Sequence, residues 1–181
     1  MHWICCDVAA FSEEDLHRAY AGLSPSRKEH IDRIQPTEDK KRSLAGECLV
    51  QKLLQTHYGI TNATLHRSEN GQPYLSGCEL YVSISHSHKI VACAISEEPV
   101  GIDVERIHPV KPELHQRVCV PEELKYIRNG DNAAERFFEI WTAKEAWFKK
   151  QGTGITDLRA VNTLKLRREM HRIEDYILHI V

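Results

Sequence analysis

Asp103 and Glu105 are the acids whose spacing is most suggestive of chemistry. They lie in Val100-Gly101-Ile102-Asp103-Val104-Glu105, an alternating stretch. In a strand, residues two apart share a face, so the two carboxylates project together while Ile102 and Val104 enter the core. Two like charges about 4 Å apart at an effective dielectric near 20 repel by roughly 4 kcal/mol. A hard cation with oxygen ligands offsets such repulsion, and Gly101 leaves room for a ligand or a second backbone. The same pattern also suits a solvated face on an edge strand, with Arg106 as counter-charge.

A second set lies in Trp141-Thr142-Ala143-Lys144-Glu145-Ala146-Trp147-Phe148-Lys149. On a helix, Glu145 and Lys149 are four apart and share a face. They read either as an ordinary exposed ion pair or as a third metal-ligating acid beside a cation for phosphate. Two acids on a strand plus an acid and a lysine on a helix suit Mg²⁺ held by few carboxylates and by substrate phosphate oxygens. A third set, Ser83-Ile84-Ser85-His86-Ser87-His88, puts serine beside histidine. Adjacent residues of an extended chain point apart, and no Gly-x-Ser-x-Gly elbow is present, so a serine hydrolase is excluded. The segment reads as a polar loop after a strand, meeting an anion through its hydroxyls, backbone N–H groups and His86, or as a plain serine-rich turn.

The elements that must position these residues follow from pattern and punctuation. Ser12-Glu13-Glu14-Asp15 resembles a capping box opening a helix to about residue 21. Ser24-Pro25 opens a second, over 25–34, because proline is tolerated in a first helical turn. A longer helix over 38–58 carries Leu44, Cys48, Leu49, Leu53 and Leu54 on one face and ends at Gly59. Strands are predicted over 63–68, 80–85, 90–95 and 100–106, with Asn70-Gly71 as a turn and 90–95 covered on both faces. Helices follow over 121–128 and 133–151, then weaker strands near 161–166 and 176–181. The order implies an α+β fold with helices packed on largely antiparallel sheet. Ala45-Gly46-Glu47 with Lys52 faintly echoes Ala143-Lys144-Glu145 with Lys150, which points to two related halves, 1–99 and 100–181.

The 181 residues suffice for one domain or two small halves. At 41% hydrophobic and 28% charged the chain has a globular composition. A net charge of -2 excludes a bulk-electrostatic nucleic-acid binder. No apolar run reaches the roughly 18 residues of a membrane span, and the first residues lack a signal peptide's pattern. The six cysteines show no Cys-x-x-Cys pair. A reduced, cytoplasmic protein is expected, with no nucleic-acid or membrane partner.

Together, Ser83-Ile84-Ser85-His86-Ser87, Gly101-Ile102-Asp103-Val104-Glu105 and Trp141-Thr142-Ala143-Lys144-Glu145-Ala146 with Lys149 and Gly152 resemble the 4′-phosphopantetheinyl transferase superfamily, of the type that activates surfactin and enterobactin synthetases. The resemblance implies transfer of the phosphopantetheine arm of coenzyme A to a serine of an acyl or peptidyl carrier protein, with release of adenosine 3′,5′-bisphosphate. It implies that Asp103, Glu105 and Glu145 hold Mg²⁺, that Lys149 neutralises a phosphate oxygen, and that Glu145, or a water it holds, takes the serine proton. Arg42, Ser85, His86 and a basic residue among Arg27 and Lys28 would bind coenzyme A. The implied fold is a pseudo-twofold pair of α+β halves with the site in the cleft between them, working as a monomer or, through an exposed edge, a dimer. Two departures stand out. The family's Gly-Lys-Pro reads Gly71-Gln72-Pro73 here, which implies weaker coenzyme A binding. The second half is expected to be short by one strand, having no counterpart of 90–95. Residues 110–127, with Arg117, Lys125 and Tyr126, read either as the carrier-protein surface or as a plain surface connection with one helix. The same acids would also serve a Mg²⁺-dependent pyrophosphate hydrolase, recognised by product formed without carrier protein, or survive in a non-catalytic binding module.

Overall fold

The computed structural model describes all 181 residues. The fold is α+β with antiparallel sheets, divided into two compact units, Met1–Val100 and Gly101–Val181. No helix is long and apolar enough to cross a membrane.

In the first unit, β1 (His2–Asp7) is followed by three helices, α1 (Glu13–Gly22), α2 (Pro25–Arg33) and α3 (Thr37–Leu53). The capping box at Ser12 is present: Asp15 N donates to Ser12 Oγ at 3.1 Å and Ser12 N to Asp15 Oδ2 at 3.0 Å. Serine also caps α2, with Pro25 in its first turn. The helix expected to run to 58 is α-helical to Leu53 and closes in one wider π turn, Leu54–Tyr58, ended by Gly59. A hairpin of β2 (Thr64–Arg67) and β3 (Pro73–Ser76) turns at Gly71, whose φ of 79° suits glycine. Then β4 (Tyr81–Ser87) and β5 (Ile90–Ser96) form a second hairpin. The sheet order is β1-β5-β4. Every residue of β5 is buried, as its unbroken apolar run predicts for a central strand. The face of α3 carrying Leu49, Val50 and Leu53 packs over this sheet.

The second unit has a similar but shorter order, with a single hairpin after its helices. An edge strand, β6 (Ile102–Arg106), leads into α4 (Pro112–Val118), α5 (Pro121–Arg128) and α6 (Ala133–Gln151), and a hairpin of β7 (Glu169–Ile173) and β8 (Tyr176–Ile180) returns to it. The sheet order is β6-β8-β7, with the last strand central, as β5 is in the first unit. All five residues of β8 are buried. The expectation of a missing strand is therefore corrected: the second unit's sheet has three strands, with a buried strand, β8, at its centre. The error arose at residues 161–166, which form a short 3₁₀ turn, Thr163–Lys165, and not a strand. Asn162 Oδ1 accepts from Leu164 N at 3.1 Å, and such side-chain-to-backbone bonds compete with strand pairing. Phe137, Phe138, Ile140, Val118, Ile127 and Ile177 form the core between α6, α4, α5 and β8.

Candidate active site

The second unit builds its site by laying α6 on one face of β6. Gly101 is what permits the approach. A Cβ placed there would stand 1.8 Å from the carbonyl oxygen of Ala146 and 2.8 Å from the backbone N of Lys150, so only a glycine lets helix and strand backbones touch. The expected close approach is thus made by the chain's own helix. By strand alternation Asp103 and Glu105 share that face. Asp103 is 3% exposed, which removes the reading of a solvated edge. Arg106, the proposed counter-charge, lies on the other face and donates to Asp175 Oδ2 at 2.6 Å.

Helix α6 meets this face with a stripe of residues. Lys149 Nζ donates to Asp103 Oδ1 at 2.7 Å and to Ile102 O at 3.2 Å, so it reaches the strand acid directly. Glu145, one turn earlier and half-buried, is pushed up to about 7, first by burial and then by the Asp103 charge, with Lys149 pulling it down and Glu105 adding to the rise. Three carboxylates and one ammonium therefore share one electrostatic environment. They are not closed into a cage: no group of three acidic, histidine or cysteine side chains is arranged to hold a metal ion. The donor chemistry nonetheless fits a hard divalent cation, because all donors are oxygens and the cluster carries more negative than positive charge.

Thr142 completes the stripe. Its hydroxyl donates to Phe138 O at 2.7 Å, so its contact with His179 Nδ1, also 2.7 Å, must be one in which the imidazole donates. His179 is opposite Asp103 in the β6–β8 register and is fully buried. Burial, Arg168 and His171 push its pKa down to about 3, so it is neutral, with Nε2 lacking any hydrogen-bond partner. Sequence reading missed His179. A lone histidine in an apolar strand gives no signal until the register is known.

The first-unit residues divide into those on or reaching the β4–β5 hairpin and those engaged elsewhere. The segment around His86 is strand β4, not a loop, so its side chains alternate. Ser83 and Ser85 are buried on one face, and His86 is exposed on the other. Arg42 of α3 donates to His88 O at 2.7 Å and pairs with Asp39, which brings it to the β4–β5 turn. Lys28 donates to Ala21 O at 2.9 Å with its ammonium 5.7 Å from the centre of the Tyr20 ring. Arg27 is 5% exposed, and its Nε donates to the buried Glu47 at 2.8 Å. Its guanidinium is engaged inside the protein, which counts against the expected ligand role. In the expected partner segment, Tyr126 is likewise engaged, donating to Glu139 Oε2 at 2.5 Å beneath the guanidinium of Arg136.

Comparison with known proteins bears on both units. A profile described as the 4′-phosphopantetheinyl transferase superfamily matches residues 99–175, and one described as 4′-phosphopantetheinyl transferase, N-terminal, matches residues 10–99. The 4′-phosphopantetheinyl transferase Sfp of Bacillus subtilis is 29% identical over 150 residues, covering 80% of this chain and 67% of that protein. A second 4′-phosphopantetheinyl transferase of Bacillus subtilis is 30% identical over 149 residues, covering 80% and 66%. The 4′-phosphopantetheinyl transferase gsp of Aneurinibacillus migulanus is 32% identical over 139 residues, covering 75% and 58%. The chain thus spans about two thirds or less of the length of these relatives. Both units match within one superfamily, and the acids and lysine gathered by β6 and α6 lie inside the matched stretch. The chain belongs to the 4′-phosphopantetheinyl transferase superfamily, of the Sfp type.

Proposed function

We propose that this protein transfers the 4′-phosphopantetheine arm of coenzyme A to a serine hydroxyl of an acyl or peptidyl carrier protein. The serine oxygen forms a bond to the β-phosphorus of the coenzyme A diphosphate, the bond from that phosphorus to the bridging oxygen breaks, and adenosine 3′,5′-bisphosphate leaves. The serine proton passes to Glu145, or to a water it holds. Lys149, which pairs with Asp103, would neutralise a phosphate oxygen as a point charge.

Asp103, Glu105 and Glu145 are the residues that would hold Mg²⁺. When bound, the ion supplies charge stabilisation for the diphosphate and its leaving oxygen. Arg42, which reaches the β4–β5 turn at His88, His86 of β4, and Lys28 of α2 would bind coenzyme A. Ser85, buried on the opposite face of β4, and Arg27, tied to Glu47, would support that region from within. The proposal takes a single chain acting in the cytoplasm. The observation that carries it is the gathering of two strand acids, a helix acid and Lys149 into one partly buried electrostatic cluster.

The test is a mass measurement. Incubated with coenzyme A, Mg²⁺ and a panel of apo carrier domains, the protein is expected to add a phosphopantetheine mass to at least one. No gain on any carrier, or phosphate-containing product released from coenzyme A without carrier, overturns the reading in favour of a binding module or a hydrolase.

A further inference from the structure

Lys144 and Glu123 form an ion pair at 2.8 Å with both side chains 0% exposed. The Lys144 ammonium also donates to Leu158 O at 2.7 Å and to Val161 O, so all three of its protons are used. Glu123 is equally saturated. Its Oε1 accepts from Thr163 N at 2.7 Å and from Thr163 Oγ1 at 2.8 Å, while Oε2 also accepts from Val120 N at 2.9 Å at the start of α5. One pair therefore ties three pieces of chain together: the N-terminus of α5, the middle of α6, and residues 158–163. A buried ion pair adds little stability over a well-packed apolar pair of the same volume. What it adds is direction.

An α-helix turns 100° per residue. Lys144 thus points about 200° away from Ala146, whose carbonyl presses on Gly101, and about 100° away from Glu145. The front of α6 is seated on β6 and its back is tied to α5 and the 158–163 segment. We propose that Glu123 and Lys144 are positioning residues: their lock stops α6 from rolling or sliding, and so holds Glu145 toward Asp103 and Glu105. The inference deepens the transferase reading and rests on it for its kinetic consequence only.

The test uses the full chain and the double variant Lys144→Met/Glu123→Met, which removes both buried charges while keeping side-chain bulk. The double variant is expected to melt cooperatively, with the amide resonances of Glu145 and Lys149 shifted or broadened. Its single-turnover transfer rate is expected to fall about 10²-fold, the scale of a misplacement near 1 Å, with KM for coenzyme A within about twofold. Should the double variant fail to fold, Glu123→Gln, which keeps the shape but removes the charge and replaces one accepting oxygen by a donating amide, gives the same amide readout. Unmoved Glu145 and Lys149 resonances, or an unchanged transfer rate in a folded variant, overturn the positioning role and leave the pair as a stabilising contact. Failure of the wild-type protein to transfer sinks the transferase reading separately, and the amide shifts still decide whether the lock positions Glu145.

Discussion

Helices α3 and α6 each pack on the central strand of a three-stranded antiparallel sheet, and each carries a buried or half-buried glutamate, Glu47 in the first unit and Glu145 in the second. Their surroundings differ in sign. Glu47 has the Arg27 guanidinium at 2.8 Å, and burial still raises its pKa despite the attraction of Arg27, Arg67 and His66. Glu145 faces two carboxylates with one lysine as partial compensation, and rises to about 7. In one unit the charge is balanced from within and holds helices together. In the other it is left in excess, a state that a cation and a phosphate can complete. The same helix-on-sheet frame gives structure in one place and a candidate site in the other, and the difference lies in the neighbours of one acid.

The largest effect is expected from Gly101→Ala, because a Cβ has no space against the Ala146 carbonyl. The helix must lift from β6, and carrier modification should drop by more than about 10²-fold together with the melting temperature. Retention of both would remove the close approach from the account. Next, Glu145→Gln should lower transfer by about 10²-fold or more with little loss of stability, since it removes a charge that its surroundings disfavour. Glu47→Gln should do the reverse. Leaving Arg27 buried without its counter-charge costs about 3 kcal/mol in urea unfolding, at the low end for a broken buried pair because the amide can still accept a hydrogen bond, with turnover per folded molecule within about twofold. Equal kinetic effects at the two positions would erase the contrast.

Much of this contrast was legible in the sequence. The alternation of 100–106 gave both strand acids one face, the four-residue spacing of Glu145 and Lys149 gave the helix stripe, and helices 121–128 and 133–151 were bounded by proline, asparagine and glycine where the structure begins and ends them. What escaped depends on contacts between distant segments. The Glu47–Arg27 pair, the Lys144–Glu123 lock and His179 opposite Asp103 require tertiary pairing that no local period encodes. Strand β1, short β3 and seven-residue α4 were missed because each is brief and takes its stability from what it packs against. The serine-histidine segment was mistaken for a loop because polar residues suggest turns, whereas pairing with β5 makes it strand.

A smaller effect concerns acid. His179 titrates at about 3 in the folded protein against 6.5 unfolded. Between those values the unfolded chain binds the extra proton, so the stability His179 provides is fully present above about 6.5 and is lost progressively as pH falls toward 3. Urea midpoints measured from pH 7 to pH 4 should fall more steeply for wild type than for His179→Gln, and parallel slopes would contradict the buried neutral imidazole. The smallest effect is at Gln72. Gln72→Lys restores a charge on an exposed hairpin and should tighten coenzyme A by up to about fivefold at low salt, the range of a solvent-exposed pair. Calorimetric titration with coenzyme A decides it, and no change would move this hairpin away from the ligand.

The most direct measurement is an anomalous-scattering map from crystals of the protein grown with Mn²⁺ and coenzyme A. A single Mn²⁺ peak bonded to a carboxylate oxygen of each of Asp103, Glu105 and Glu145 and to the diphosphate is the predicted result. A peak that leaves any of these acids unbound, or a diphosphate seated away from Lys149, would contradict the account.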